Sequence, residues 1–100
     1  MDNGTFEMKI FAEASVLDDV TQLLRSDNEI MSGIGIWDGC LQREADHVHC
    51  LGESCRMRHV YLAQEIHARW PDTKVTCGMT IEDYESMYGE WQNGKERMLE

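Results

Sequence analysis

One hundred residues are the size of one ordinary domain, and 42% hydrophobic content is enough to build a core without staples. Nineteen acids against nine bases leave a formal net charge of −10, which argues against direct binding to nucleic acid and to anionic membrane surfaces. No apolar run approaches the length of a membrane span, and the opening MDNGTFEMKI has no basic region leading into an apolar one. An intracellular, cytoplasmic protein is therefore expected, with its four cysteines present as thiols.

In chain order, Phe6, Met8, Ile10 and Ala12 alternate with Glu7 and Lys9, the period of a half-buried strand. Ser15 reads as a helix N-cap with Asp18 three residues on, and Val16, Val20, Leu23 and Leu24 recur at helical spacing, predicting a helix over about 15–26. The run Ile30–Trp37 is a second strand, closed by the turn signal Asp38-Gly39. Gly33 and Gly35 fall on one face of it, where a neighbour can approach closely. A third strand over 46–51 ends at Gly52. Ser54 then caps a second helix that runs to Trp70 and stops at Pro71. Thr73–Met79 alternates again. Thr80 reads as the last N-cap, and Ile81, Tyr84, Tyr88 and Trp91 form one stripe of a helix over about 81–93. Asn93-Gly94 ends that helix.

The expected fold is α+β: a single domain over 1–100, βαββαβ and ferredoxin-like, with an additional acidic, amphipathic C-terminal helix. No repeat, low-complexity run or linker divides it.

The segment HVHCLGESCRMRH, residues 47–59, concentrates metal-competent side chains. With Cys40 upstream, the spacing Cys40-x9-Cys50-x4-Cys55-x3-His59 supplies the three thiolates and one imidazole of a Cys3His zinc set. It resembles the CCCH zinc-finger family over twenty residues. The resemblance implies metal-ligand roles for those four residues, while the base-stacking aromatics of that family are missing from 41–58. The competing reading places Cys55, His59, Leu62, Ile66 and Trp70 on one apolar helix face, with Cys50 and Cys77 as small core hydrophobes. On that reading no cofactor is expected. A Cys55–His59 pair at the start of a helix also raises a thiol or metal enzyme, but no oxyanion motif or orienting third residue accompanies it, and a non-enzyme is expected.

The charge is concentrated at the two ends of the chain. Asp18 and Asp19 on the first helix, and Glu82, Asp83, Glu85 and Glu90 with Trp91 as anchor on the last, form the expected protein-binding surface. Its expected partner is a basic protein surface, such as that of a nucleic-acid-binding complex. In size, acidity and α+β pattern the chain resembles phage anti-CRISPR proteins. That resemblance implies an inhibitor acting inside a host cell by blocking access of nucleic acid. A zinc-stabilised interaction module is the alternative.

Overall fold

The structure is a computed structural model that describes residues 3–81 and 86–99. It is α+β, with six strands in one antiparallel sheet and two helices. The strands are β1 (Asn3–Phe11), β2 (Ile34–Arg43), β3 (His47–Cys55), β4 (Lys74–Ile81), β5 (Ser86–Gln92) and β6 (Lys95–Leu99). The helices are α1 (Ala14–Arg25) and α2 (Arg58–Arg69), and a 3-10 turn covers Glu29–Met31. In the sheet the strands lie in the order β2-β3-β1-β4-β5-β6.

Alternation decides which face is covered. Phe6, Met8 and Ile10 of β1, Val48 and Cys50 of β3, and Val75, Cys77 and Met79 of β4 point to one side. There they meet Leu17, Val20 and Leu24 of α1 and Leu62, Ala63 and Ile66 of α2 in one buried cluster. Burying a Leu, Ile, Val or Met side chain is worth roughly 1.5–3 kcal/mol, so this cluster sets the sheet register. Among the described residues no helix packs on the opposite face.

The order of elements departs from the expected one at the C-terminus. Residues 82–85 of the expected helix over 81–93 lie outside the described residues; Ile81 ends β4, and from Ser86 on the hairpin β5–β6 extends the sheet beyond it. Asn93 and Gly94 both have positive φ, 55° and 75°, as a two-residue type I′ turn requires. Trp91 lies in the strand and is 2% exposed, packed into the core. Its indole Nε1–H donates to Glu96 Oε1 at 2.7 Å, and the Gln64 amide of α2 donates to the same oxygen at 2.7 Å. His67 completes the attachment. The Gly94 N–H donates to its Nε2 (3.0 Å), so its Nδ1 carries the proton and faces Thr73 Oγ1 at 3.3 Å.

Four further boundaries differ from the expected ones. Gly52 does not end β3. Its missing Cβ admits the backbone of Gly35 and Ile36 on β2, and the strand continues to Cys55. Ser54 is thus a strand residue, not a cap, and α2 starts at Arg58 after Arg56 and Met57 turn the chain with positive φ. Asp38-Gly39 does not end β2 either. Residues 37–40 bulge out opposite the single residue Leu51, after which pairing resumes at Leu41. The first helix starts one residue before Ser15, whose hydroxyl donates to Glu13 Oε1 at 3.2 Å.

Candidate functional site: the acidic helix flank and the open sheet face

The described residues among those named from the sequence do not form one surface. Asp18 and Asp19 are exposed on α1, on the helix-covered side of the molecule. Asp18 is held there by Arg43 of β2, whose Nε donates to Asp18 Oδ1 at 3.1 Å. The same guanidinium donates to the carbonyl oxygens of Ala14 (3.3 Å) and Glu44, tying the start of α1 to the β2–β3 turn. Asp19 has no such clasp. Glu13 and Asp27 are exposed at the two ends of the helix, against Arg25 at one end and Arg69 of α2 beside Glu13 at the other, so acids still outnumber bases on this flank.

Glu90 lies on the other side of the sheet, on the open face, where its Oε1 is 4.0 Å from Lys74 Nζ and 3.4 Å from the Tyr88 hydroxyl. Tyr88 is pushed up from its ordinary phenol pKa, first by desolvation and then by the Glu90 charge beside it. Glu82, Asp83 and Glu85 lie outside the described residues. Trp91, expected as an anchor, is a core residue and cannot serve as one without unfolding the hairpin.

The proposed metal ligands are not gathered. No group of three or more His, Cys, Asp and Glu side chains is placed to hold a metal ion among the described residues. Cys50 is buried beside Met8 in the core, and desolvation pushes its thiol up to about 12. Cys77, on the other side of Met8, is likewise pushed up to about 12. Cys40 sits in the β2 bulge, and Cys55 at the far end of β3 borders Gly33. His59 is buried and occupied at both nitrogens. The Ser54 hydroxyl donates to Nδ1, and Nε2–H points at Met79 Sδ at 3.1 Å. Its ring stacks on Phe6 at 5.5 Å between centroids, and desolvation lowers its pKa to about 4. The Ser54–His59 pair is a core hydrogen bond: both residues are buried, and the second ring nitrogen has a thioether rather than a carboxylate behind it.

The open face was not anticipated as a site. Trp37 (43% exposed), Tyr88 (39%) and Leu99 (42%) are, with Tyr61 on α2, the exposed large hydrophobic residues among those described. Trp37 and Leu51 line one side of a shallow trough of about 320 Å³, floored by Glu7 and Gly78. Along the strands the trough gives way to polar pairs. Glu7 Oε2 meets His49 Nε2 at 2.6 Å, and Asp46 Oδ1 meets His47 Nδ1 at 2.7 Å, a bond that lowers the Asp46 carboxyl pKa. The signal available in the sequence was the alternation Glu7, Lys9 and His47, His49, which marked the outward faces of two strands. It did not reveal that no described element packs over them.

No helix among the described residues is long and apolar enough to cross a membrane. Comparison with protein-family models, with curated proteins and with solved structures finds no match.

Proposed function

We propose that this chain is a non-enzymatic protein-binding module whose acidic α1 flank docks on the basic surface of a nucleic-acid-binding protein, blocking access of nucleic acid in the manner of anti-CRISPR inhibitors. The first four strands and two helices are read as a ferredoxin-like unit that the C-terminal hairpin extends. The observation that carries the reading is the segregation of charge. Asp18, Asp19, Glu13 and Asp27 cluster along α1 against Arg25, with Arg69 of α2 beside Glu13, whereas Lys9, Lys74, Lys95 and Arg97 lie on the sheet face turned away from it. Arg43 is spent on internal bonds, as is Arg58, which donates to the carbonyls of Ser32 (3.0 Å) and Glu29 (3.1 Å). A helix flank with this excess of carboxylates attracts a row of Lys and Arg, and the −10 net charge steers the encounter.

The test is competition: purified nucleic-acid-binding complexes are challenged with the wild-type chain and with Asp18→Lys/Asp19→Lys. The wild type should displace nucleic acid from a cognate complex, less effectively as salt rises. The double variant should lose about tenfold or more in affinity while keeping its circular dichroism spectrum. Equal potency of the two proteins would remove α1 as the docking surface.

A further inference from the structure

We infer that the open sheet face is the interface for a second copy of this chain, forming a two-fold dimer whose axis runs parallel to the strands between β1 and β4. The six strands divide evenly about that line, β2-β3-β1 on one side and β4-β5-β6 on the other. The apolar residues of the face divide with them. Registers place Leu51, Glu7, Gly78, Tyr88 and Leu99 in a single cross-strand row, with Trp37 in the bulge opposite Leu51 at its β2 end. A two-fold along the strands exchanges the halves of this row. Trp37 of one copy comes over Leu99 of the other, Leu51 comes over Tyr88, and Glu7 comes over Gly78. At Gly78 a Cβ would meet nothing within 4 Å, so that position leaves room for the incoming side chain.

The charges divide in the complementary sense. Among the described residues the outward side chains of the β2-β3-β1 half are Glu7 and Glu53 with Glu44 and Asp46 in its turn, against Lys9. Those of the β4-β5-β6 half are Lys74, Lys95 and Arg97 against Glu90. The β2–β3 and β5–β6 turns lie at the same end of the sheet, so the two-fold sets Glu44 and Asp46 of one copy against Lys95 and Arg97 of the other, twice. His49 and Glu90, one row in from the turns, meet in the same way. An isologous interface demands this self-complementarity. Two chains of net charge −10 repel over most of their surfaces, and this face is the place where the repulsion is reversed.

The area is sufficient. Six strands at ~4.8 Å spacing and about seven residues long give roughly 650 Å² per copy. That is about 1,300 Å² in the pair, within the ~1,200–2,000 Å² of a standard specific interface. Trp37 and Tyr88 are side chains of the kind that anchor such interfaces.

Sedimentation velocity on the full chain across a dilution series tests the proposal without any partner, and independently of the α1 surface. The wild type should sediment with twice the 11.6 kDa chain mass at high concentration and dissociate on dilution. Glu44→Lys/Asp46→Lys and Lys95→Glu/Arg97→Glu should each be monomeric at every concentration, because each opposes like charges at both contacts. Mixing the two variants should restore the dimer, since both contacts are then opposite in sign. Leu99→Lys should be monomeric alone and in either mixture. A wild type that stays monomeric at all concentrations overturns the proposal and assigns the face to a different molecule. A dimer that persists in both charge variants and in Leu99→Lys overturns it by placing the contact elsewhere.

Discussion

At the scale of single residues, the histidines and cysteines of HVHCLGESCRMRH behave according to which side of β3 they point. His47 and His49 face outward and find carboxylates, whereas Cys50 faces inward and has only Met8 and other apolar groups around it. His59, on α2, is the costly member. It is buried in the neutral form, with a hydroxyl donating to one nitrogen and a thioether facing the other. An unfolded histidine takes up its proton near pH 6.5, and in the fold His59 resists protonation down to about 4. Between those values the unfolded state binds the extra proton. Stability from this residue is therefore complete above pH 6.5 and is lost progressively as pH falls towards 4, by up to about 3 kcal/mol. Urea unfolding at pH 7.5 and 4.5 should show the loss. His59→Phe should lower stability at pH 7.5, because the buried Ser54 hydroxyl loses its partner at a cost of about 1–3 kcal/mol, yet shrink the drop between the two pH values. An identical drop in both proteins would mean that other groups carry the acid sensitivity.

At the scale of elements, β1, α1, the core of α2 and β4 were legible because each had a single clean period and one uncovered alternative. The C-terminal segment was not, for a definite reason. Ile81, Tyr84, Tyr88 and Trp91 fit a helical stripe, while Tyr88 and Glu90 against Gly89 and Trp91 fit a strand equally well. Asn93-Gly94 was the deciding signal. It was read as a helix end, though the same dipeptide closes a type I′ hairpin, and the bonds from Trp91 to Glu96 and from Gly94 to His67 reward that choice. Gly94 tests the point. At φ 75° a Cβ meets no neighbour within 4 Å, so any penalty is conformational. Gly94→Ala should cost about 1 kcal/mol, a fall of about 4–8 °C in Tm. Gly35→Ala, on an edge strand with open space and ordinary φ, should change stability by less than about 0.5 kcal/mol. Equal effects would mean that the turn conformation contributes nothing special.

At the scale of the whole molecule, net charge was readable from composition, but its distribution was not. Sequence position suggested two acidic ends acting together. The fold instead puts α1 on one side of the sheet and Glu90 on the other, and it collects Lys9, Lys74, Lys95 and Arg97 from three separate strands onto the open face. No local pattern announces that gathering, because it depends on which strands become neighbours. The net charge makes ionic strength act in the same direction on folding and on association. The molecule measures 38 × 28 × 23 Å, comparable with a Debye length of about 30 Å at 0.01 M salt and much larger than about 8 Å at 0.15 M. In dilute salt all its carboxylates therefore repel across the structure, while the exposed pairs Arg43–Asp18 and Lys74–Glu90 each return less than about 1 kcal/mol. At concentrations where the chain is monomeric, raising salt from 0.01 to 0.15 M should raise Tm by a few degrees, because long-range repulsion is screened before the close pairs are. Over the same range self-association should strengthen, because repulsion between two chains of net charge −10 is screened before the close contacts between the acidic and basic turns. Differential scanning fluorimetry and sedimentation on the same samples would show the two trends running together. A Tm that falls with added salt would mean that close ion pairs, rather than net repulsion, dominate the electrostatics of the folded chain.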